Sequence, residues 1–219
     1  MARTKESEQD KISYEAPHTP DAEIDAFISI IKANVICPIR SLVCVGAMDG
    51  YELKRVAAAF PESRAIALEA CLETWLRHLA GSWIESYPLA GSDSTGVQPF
   101  HLMETRALSS LYPRDQSKAT TCHGIRLDDL CAAITLEVMD VLMIDVEGAA
   151  YEVLKGCGSM LDTIAVITVE TENGQIICHG QHADNEVSGM LIGNGFKKAH
   201  RKDAGGQYET IWLKESLCR

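Results

Sequence analysis

Three groups of residues in this 219-residue chain have the types and spacing to do chemistry. The first is VGAMDGY (45–51), where an apolar run ends in Gly46 and Gly50 with Asp49 beside them. Glycines there let the backbone pass close to a ligand just before a helix that starts near Glu52. The second is Glu69, 19 residues after Gly50 in RAIALEA (64–70), about where a carboxylate takes a ribose diol. Together they suggest an adenosine-containing cofactor, although Glu69 would equally serve as favourable charge near the N-terminus of the next helix. The fingerprint GxGxxG is not met, because Met48 and Tyr51 occupy its second and third glycine positions. A pyrophosphate needs close backbone approach at those points, so a nicotinamide cofactor is disfavoured.

The third group is Asp145, Glu147 and Gly148 in MIDVEGAAYEVLKG, two carboxylates two positions apart at the end of an apolar run. Acids there cost free energy unless something pairs or uses them. Either could simply cap the following helix. Glu170 and Glu172 end the next apolar run, so four acids would crowd one edge and could hold a divalent cation through oxygen ligands or supply a general base. A cation is compatible with this pattern and not required by it. His123 and His179 have the near-neutral chemistry of a proton carrier, but each also reads as an ordinary loop or core residue. The stretch CHGQH (178–182) offers two histidines and one cysteine with no fourth partner, too few for a zinc site.

These residues need a scaffold, and the rest of the chain supplies one. With 46% hydrophobic residues the chain can build one core of ordinary size. Its 31 acids against 20 bases give a formal charge of −11, which would repel a phosphate backbone, so nucleic acid is not expected as a partner. No apolar run approaches the roughly 20 residues that cross a bilayer, and MARTKESEQDK has no signal-peptide stretch, so no membrane is expected and the chain should stay in the cytoplasm. The eight cysteines form no CxxC pair and read as buried free thiols.

Residues 1–18 are polar, without apolar periodicity, and read as a disordered or loosely attached tail ahead of a single domain over 19–219. Thr19 and Pro20 suit the start of a helix in which Ile24, Phe27, Ile28 and Ile31 share a face. Apolar runs at 41–46, 64–70, 82–90, 140–145 and 164–170 then alternate with helical patterns. Those patterns are carried by Leu53 to Phe60; by Leu72, Trp75, Leu76 and Leu79; by 127–135; by the segment from Ala149; and by Asn185 to Ile192. A hairpin around VQPFHLM is expected in the polar middle third, and GFKKAH and YETIWLK are close enough to pair antiparallel at a sheet edge. Such alternation implies an α/β, doubly wound, mostly parallel sheet with helices on both faces, and ligands at the carboxyl ends of its strands.

The stretches VGAMDGY, AIALEA, YPLAGSDSTGVQPF, SSLYP, IRLDDL, LMIDVEGAAYEVLKG and GF…YETIWLK, in that order over about residues 40 to 215, resemble the FkbM family of class I S-adenosylmethionine-dependent methyltransferases. The resemblance implies a Rossmann-like seven-stranded sheet with an antiparallel last strand. It also implies O-methylation of a hydroxyl on a carbohydrate or small secondary metabolite. Carried over residue by residue, it makes Gly46, Ala47, Asp49, Gly50, Glu69, Ala70, Ser92, Asp93 and Asp145 cofactor contacts, with Ser92 and Asp93 near the adenine. Asp145 and Glu147 become the catalytic pair, as base or acceptor-orienting groups, and Ser109 and Ser110 candidates for the acceptor wall. Tyr51, Trp83 and Tyr87 could face a sulfonium but read mainly as packing residues, and KKAHRK (197–202) reads as a solvated edge strand. The family usually has an acid at Cys44, a lysine at Met143, a threonine or serine at Arg126 and a second glutamate at Ala150. Those departures mark a divergent member, and Asp49 could supply the polar interaction with the cofactor that a cysteine at position 44 does not make. They also leave open a non-catalytic adenosyl-binding or interaction protein on the same fold.

Overall fold

The computed structural model describes residues 21–172, 177–204 and 207–219. The expected tail over 1–18 and the Thr19–Pro20 helix start lie outside the described residues. The elements are α1 (Asp21–Asn34), β1 (Ser41–Val45), α2 (Tyr51–Ala59), β2 (Arg64–Leu68), α3 (Leu72–His78), β3 (Glu85–Tyr87), β4 (Ala90–Gly91), β5 (Gly96–Leu102), β6 (Lys118–Ile125), α4 (Leu127–Ala133), β7 (Val141–Ile144), α5 (Ala150–Gly156), β8 (Val166–Glu172), α6 (Asp184–Gly193), β9 (Phe196–Ala204) and β10 (Gln207–Lys214).

Seven strands form the main sheet in the order β3-β2-β1-β7-β8-β10-β9. All neighbours are parallel except those of β10, which runs antiparallel to both β8 and β9. Alternation along β1 sends Leu42 and Cys44 to one face and Val43 and Val45 to the other. Ile24, Phe27, Leu53 and Val56 from α1 and α2 cover the first face. Leu130, Val153, Leu154 and Leu191 from α4, α5 and α6 cover the second. Both faces are therefore dry, which is what an uninterrupted apolar strand such as VLMI requires. All eight cysteines are free thiols.

Three local features add to the sequence reading or correct it. The third strand expected within 82–90 is β3, at the edge of the main sheet; past Pro88 the chain leaves that sheet and β4 joins a separate three-stranded sheet, β4-β6-β5. Strand β6 gave no apolar signal because it lies on the surface, with Gly124 its one buried residue. Helix α3 is turned relative to its apolar pattern: Leu72 and Leu76 are 56% and 59% exposed, whereas Thr74 is buried with Cys71 and Leu79. The chain's entry into α3 is held by Glu69, whose Oε1 accepts the Cys71 amide proton at 2.7 Å.

Candidate functional site

The strand order reverses between β1 and β7, and at their carboxyl ends lies a cavity of about 510 Å³. The two strand ends touch. Gly46 has φ +82, and a Cβ there would stand 1.6 Å from the Asp145 carbonyl oxygen, so only glycine lets β1 leave the sheet beside β7. The Gly46 and Ala47 amides both donate to the Leu68 carbonyl, and Asp49 Oδ1 accepts the Tyr51 amide proton at the start of α2.

Glu69 lies at one end of the cavity. Its Oε2 accepts the Met48 amide proton at 2.8 Å and its Oε1 that of Cys71, so it ties the loop after β1 to the start of α3. Each oxygen keeps a further lone pair for a ligand hydroxyl. Burial pushes the Glu69 carboxyl up to about 7, against the pull of the two amides.

A wall of acids stands at the other end. Asp145, Glu147 and Glu170 each bring one carboxylate oxygen within 4.8 Å of the others. Glu147 is 8% exposed and sits at φ +50, followed by Gly148 at φ +92, a tight turn between β7 and α5. Its carbonyl accepts from Ser110 Oγ at 2.7 Å and its Oε2 from Arg114 Nη1 at 2.9 Å. Burial and Asp145 raise the Glu147 carboxyl and Arg114 lowers it, leaving it up at about 7. Asp145 opens onto the cavity yet is surrounded by protein. That enclosure, with Glu209 and Glu172, raises its carboxyl, and it has no hydrogen-bond partner among the described residues. Glu170 accepts from Gln207 Nε2 at 2.7 Å and is raised further by burial and the surrounding acids. A divalent cation would fit the spacing of the three oxygens. The guanidinium of Arg114 already meets Glu147 from the side.

Residues 45–197, more than half of the chain, match the methyltransferase FkbM domain. The chain belongs to that family. Among solved structures, a fibrillarin pre-rRNA processing protein from Methanococcus jannaschii covers 95% of this chain and 86% of its own, at 14% identity and a TM-score of 0.51, a likeness of fold alone. An FkbM methyltransferase from Methylobacillus flagellatus aligns over 80% of this chain at 11% identity and a TM-score of 0.49, and this chain spans only 44% of it. The pyocyanin biosynthetic protein PhzM aligns over 86% at 16% identity and a TM-score of 0.41, with 54% of its length spanned. No curated protein matches the chain.

In this FkbM-family chain the residues singled out from the sequence divide into two sets. Gly46, Ala47, Asp49, Glu69, Ala70, Asp145 and Glu147 all line the cavity, as do Ser109, Ser110, Tyr51 and the departures Cys44 and Met143. Gly50, Ser92 and Asp93 do not. A Cβ on Gly50 would face Leu79 and Ile84 behind the loop. Ser92 Oγ donates to Gln98 Oε1 at 3.1 Å, and Asp93 pairs with Lys155 at 2.8 Å, so the two hold the small sheet and α5 in place instead of facing the cavity. Arg126 and Ala150 lie off the wall too, Arg126 pairing with Asp128. His123 and Trp83 are exposed on the surface, and His179 lies beside Asp115 outside the cavity. Sequence reading missed Arg114, Thr168, Gln207 and Glu209. The period-two pattern of YETIWLK, which puts Glu209 on the same face as Ile211 and Leu213, was the signal that could have placed Glu209.

Proposed function

We propose that this chain is an S-adenosylmethionine-dependent methyltransferase acting on a hydroxyl of a carbohydrate or small secondary metabolite. One observation carries the reading: a single cavity, of a size usual for small-molecule sites, joins a buried diol-ready carboxylate, Glu69, to a wall of raised carboxylates, Asp145 and Glu147. In this reading Glu69 takes the ribose hydroxyls, and Gly46, Ala47 and Asp49 lie against the rest of the cofactor with Ala70 beside its base. When bound, the cofactor supplies an activated methyl group on a positively charged sulfur. The chain's own part is binding, alignment and proton removal. A hydroxyl acceptor gives up its proton to a wall carboxylate as its oxygen takes the methyl. A base held near pH 7 suits that transfer at neutral pH, and Asp145 and Glu147 both have raised carboxyls. The acid wall also favours the positive charge of a sulfonium.

Calorimetric titration with S-adenosylmethionine, S-adenosylhomocysteine and NADH, with Glu69→Ala as control, tests the reading. Binding of the two adenosyl compounds, lost in the variant and absent for NADH, supports it. No adenosyl binding by a folded sample ends it.

A further inference from the structure

Thr74 sits on the first turns of α3, five residues beyond Glu69, and it is 2% exposed. It lines the cavity together with Glu69 and Ala70. Its Oγ1 is buried and has no hydrogen-bond partner among the described residues. A buried hydroxyl without a partner costs free energy comparable to a lost hydrogen bond. The cost is compounded by how the helix is turned. Its apolar spacing would bury Leu72 and Leu76, yet both lie out in solvent and the threonine lies inside. A helix that exposes two leucines to bury an unpaired hydroxyl is oriented for something other than ligand-free packing.

We propose that the Thr74 hydroxyl is a further binding group of the cavity, completing its hydrogen bond to a hydroxyl or ring nitrogen of the bound nucleoside. The inference rests on the adenosyl reading above. Glu69 grips the nucleoside from the end of β2, and Thr74 meets it from the helix that β2 feeds, so loop and helix close on the ligand from two sides. In the free protein the hydroxyl is a held-back donor and acceptor, and ligand binding satisfies it.

The test is titration of Thr74→Val and Thr74→Ser with S-adenosylhomocysteine, beside thermal unfolding of the ligand-free proteins. Valine keeps the shape and removes the hydroxyl, so its affinity should fall about five- to tenfold, the range of one net hydrogen bond. Serine keeps the hydroxyl and should bind within about twofold of wild type. Ligand-free Thr74→Val should melt at or above the wild-type temperature, because it no longer buries an unpaired group. Unchanged affinity in Thr74→Val, equal losses in both variants, or a lower ligand-free melting temperature for valine overturns the inference and leaves the cofactor reading standing. No binding by the wild type ends both.

Discussion

Arg114 Nη1 and Glu147 Oε2 meet at 2.9 Å, joining the segment between β5 and β6 to the turn after β7. The pair is one of three contacts at alternate positions of that segment. Ser110 Oγ donates to the Glu147 carbonyl and Tyr112 Oη to Glu152 Oε1, so Ser110, Tyr112 and Arg114 all face the start of α5. Ser109, Ser110 and Leu111 line the cavity. The same strap thus forms part of the cavity wall and holds Glu147, a non-glycine residue at φ +50, in its turn.

Arg114→Met leaves Glu147 buried without its cation. The loss should be about 1–3 kcal/mol of stability at pH 8, where the carboxyl must be ionised against its surroundings. It should be smaller at pH 5.5, where Glu147, already raised to about 7 with arginine present, carries its proton. Urea unfolding of both proteins at the two pH values measures this. Equal losses at both would mean that Arg114 acts by packing alone.

The acid wall also sets how the ligand-free protein responds to pH. Glu69 and Glu147 both titrate near 7 in the folded chain against 4.5 as free side chains. Between those values the folded state holds protons that the unfolded state has lost, so stability falls as pH rises through that window. Acids with lowered values, such as Glu85, work in the opposite sense, but their contribution is complete above about pH 5. The thermal midpoint should therefore be higher near pH 5 than near pH 8. A midpoint that rises from pH 5 to 8 would contradict the buried, raised state of these carboxyls.

Gly46→Ala tests the contact between β1 and β7. The new Cβ would collide with backbone, the Asp145 carbonyl, and backbone has no rotamer by which to yield. It would also occupy φ +82, a conformation that costs an L-residue about 1–2 kcal/mol before any clash. We expect destabilisation of more than about 3 kcal/mol, measured by denaturant unfolding. A mild loss would show that the strand ends can part.

Much of this was legible in the sequence, and what was not has physical causes. Uninterrupted runs such as VLMI, buried on both faces, made a mostly parallel sheet with helices on each side legible, while its seven strands were implied by the family resemblance. Glu69 and Asp145 could be placed because each ends such a run. Residues that act from a strand's side or from a loop left no comparable trace: Arg114 is one cation in a polar segment, and Thr168 is hidden in an apolar run. Helix α3 misled because its leucines have core spacing, while the structure leaves Leu72 and Leu76 in solvent and buries Thr74. Ser92 and Asp93 were placed by resemblance, and their side chains are committed to Gln98 and Lys155.

The two aspartates flanking β7 give the sharpest contrast between an acid that builds and an acid that acts. Asp140, at the start of the strand, is 1% exposed, and its Oδ2 accepts from the Arg40 amide at 2.7 Å, the Ser41 amide at 3.0 Å and Ser41 Oγ at 3.2 Å. Asp145, just past the end of the same strand, has no such partner among the described residues and faces the repulsion of Glu209 and Glu172. Replacing Asp140 by asparagine should cost about 1–3 kcal/mol, since a neutral amide oxygen accepts these bonds more weakly than a carboxylate oxygen does. S-adenosylhomocysteine affinity of the molecules that still fold should change little. Asp145→Asn removes one member of a crowded set of like charges, so the ligand-free protein should unfold at equal or higher temperature. Methyl transfer to an acceptor found by screening with labelled cofactor should fall by about 10²-fold or more if Asp145 takes the proton or orients the hydroxyl. Thermal unfolding and initial rates, run on both variants, separate the roles. A destabilised Asp145→Asn that retains full transfer would make Asp145 a structural acid like Asp140 and move the base to Glu147.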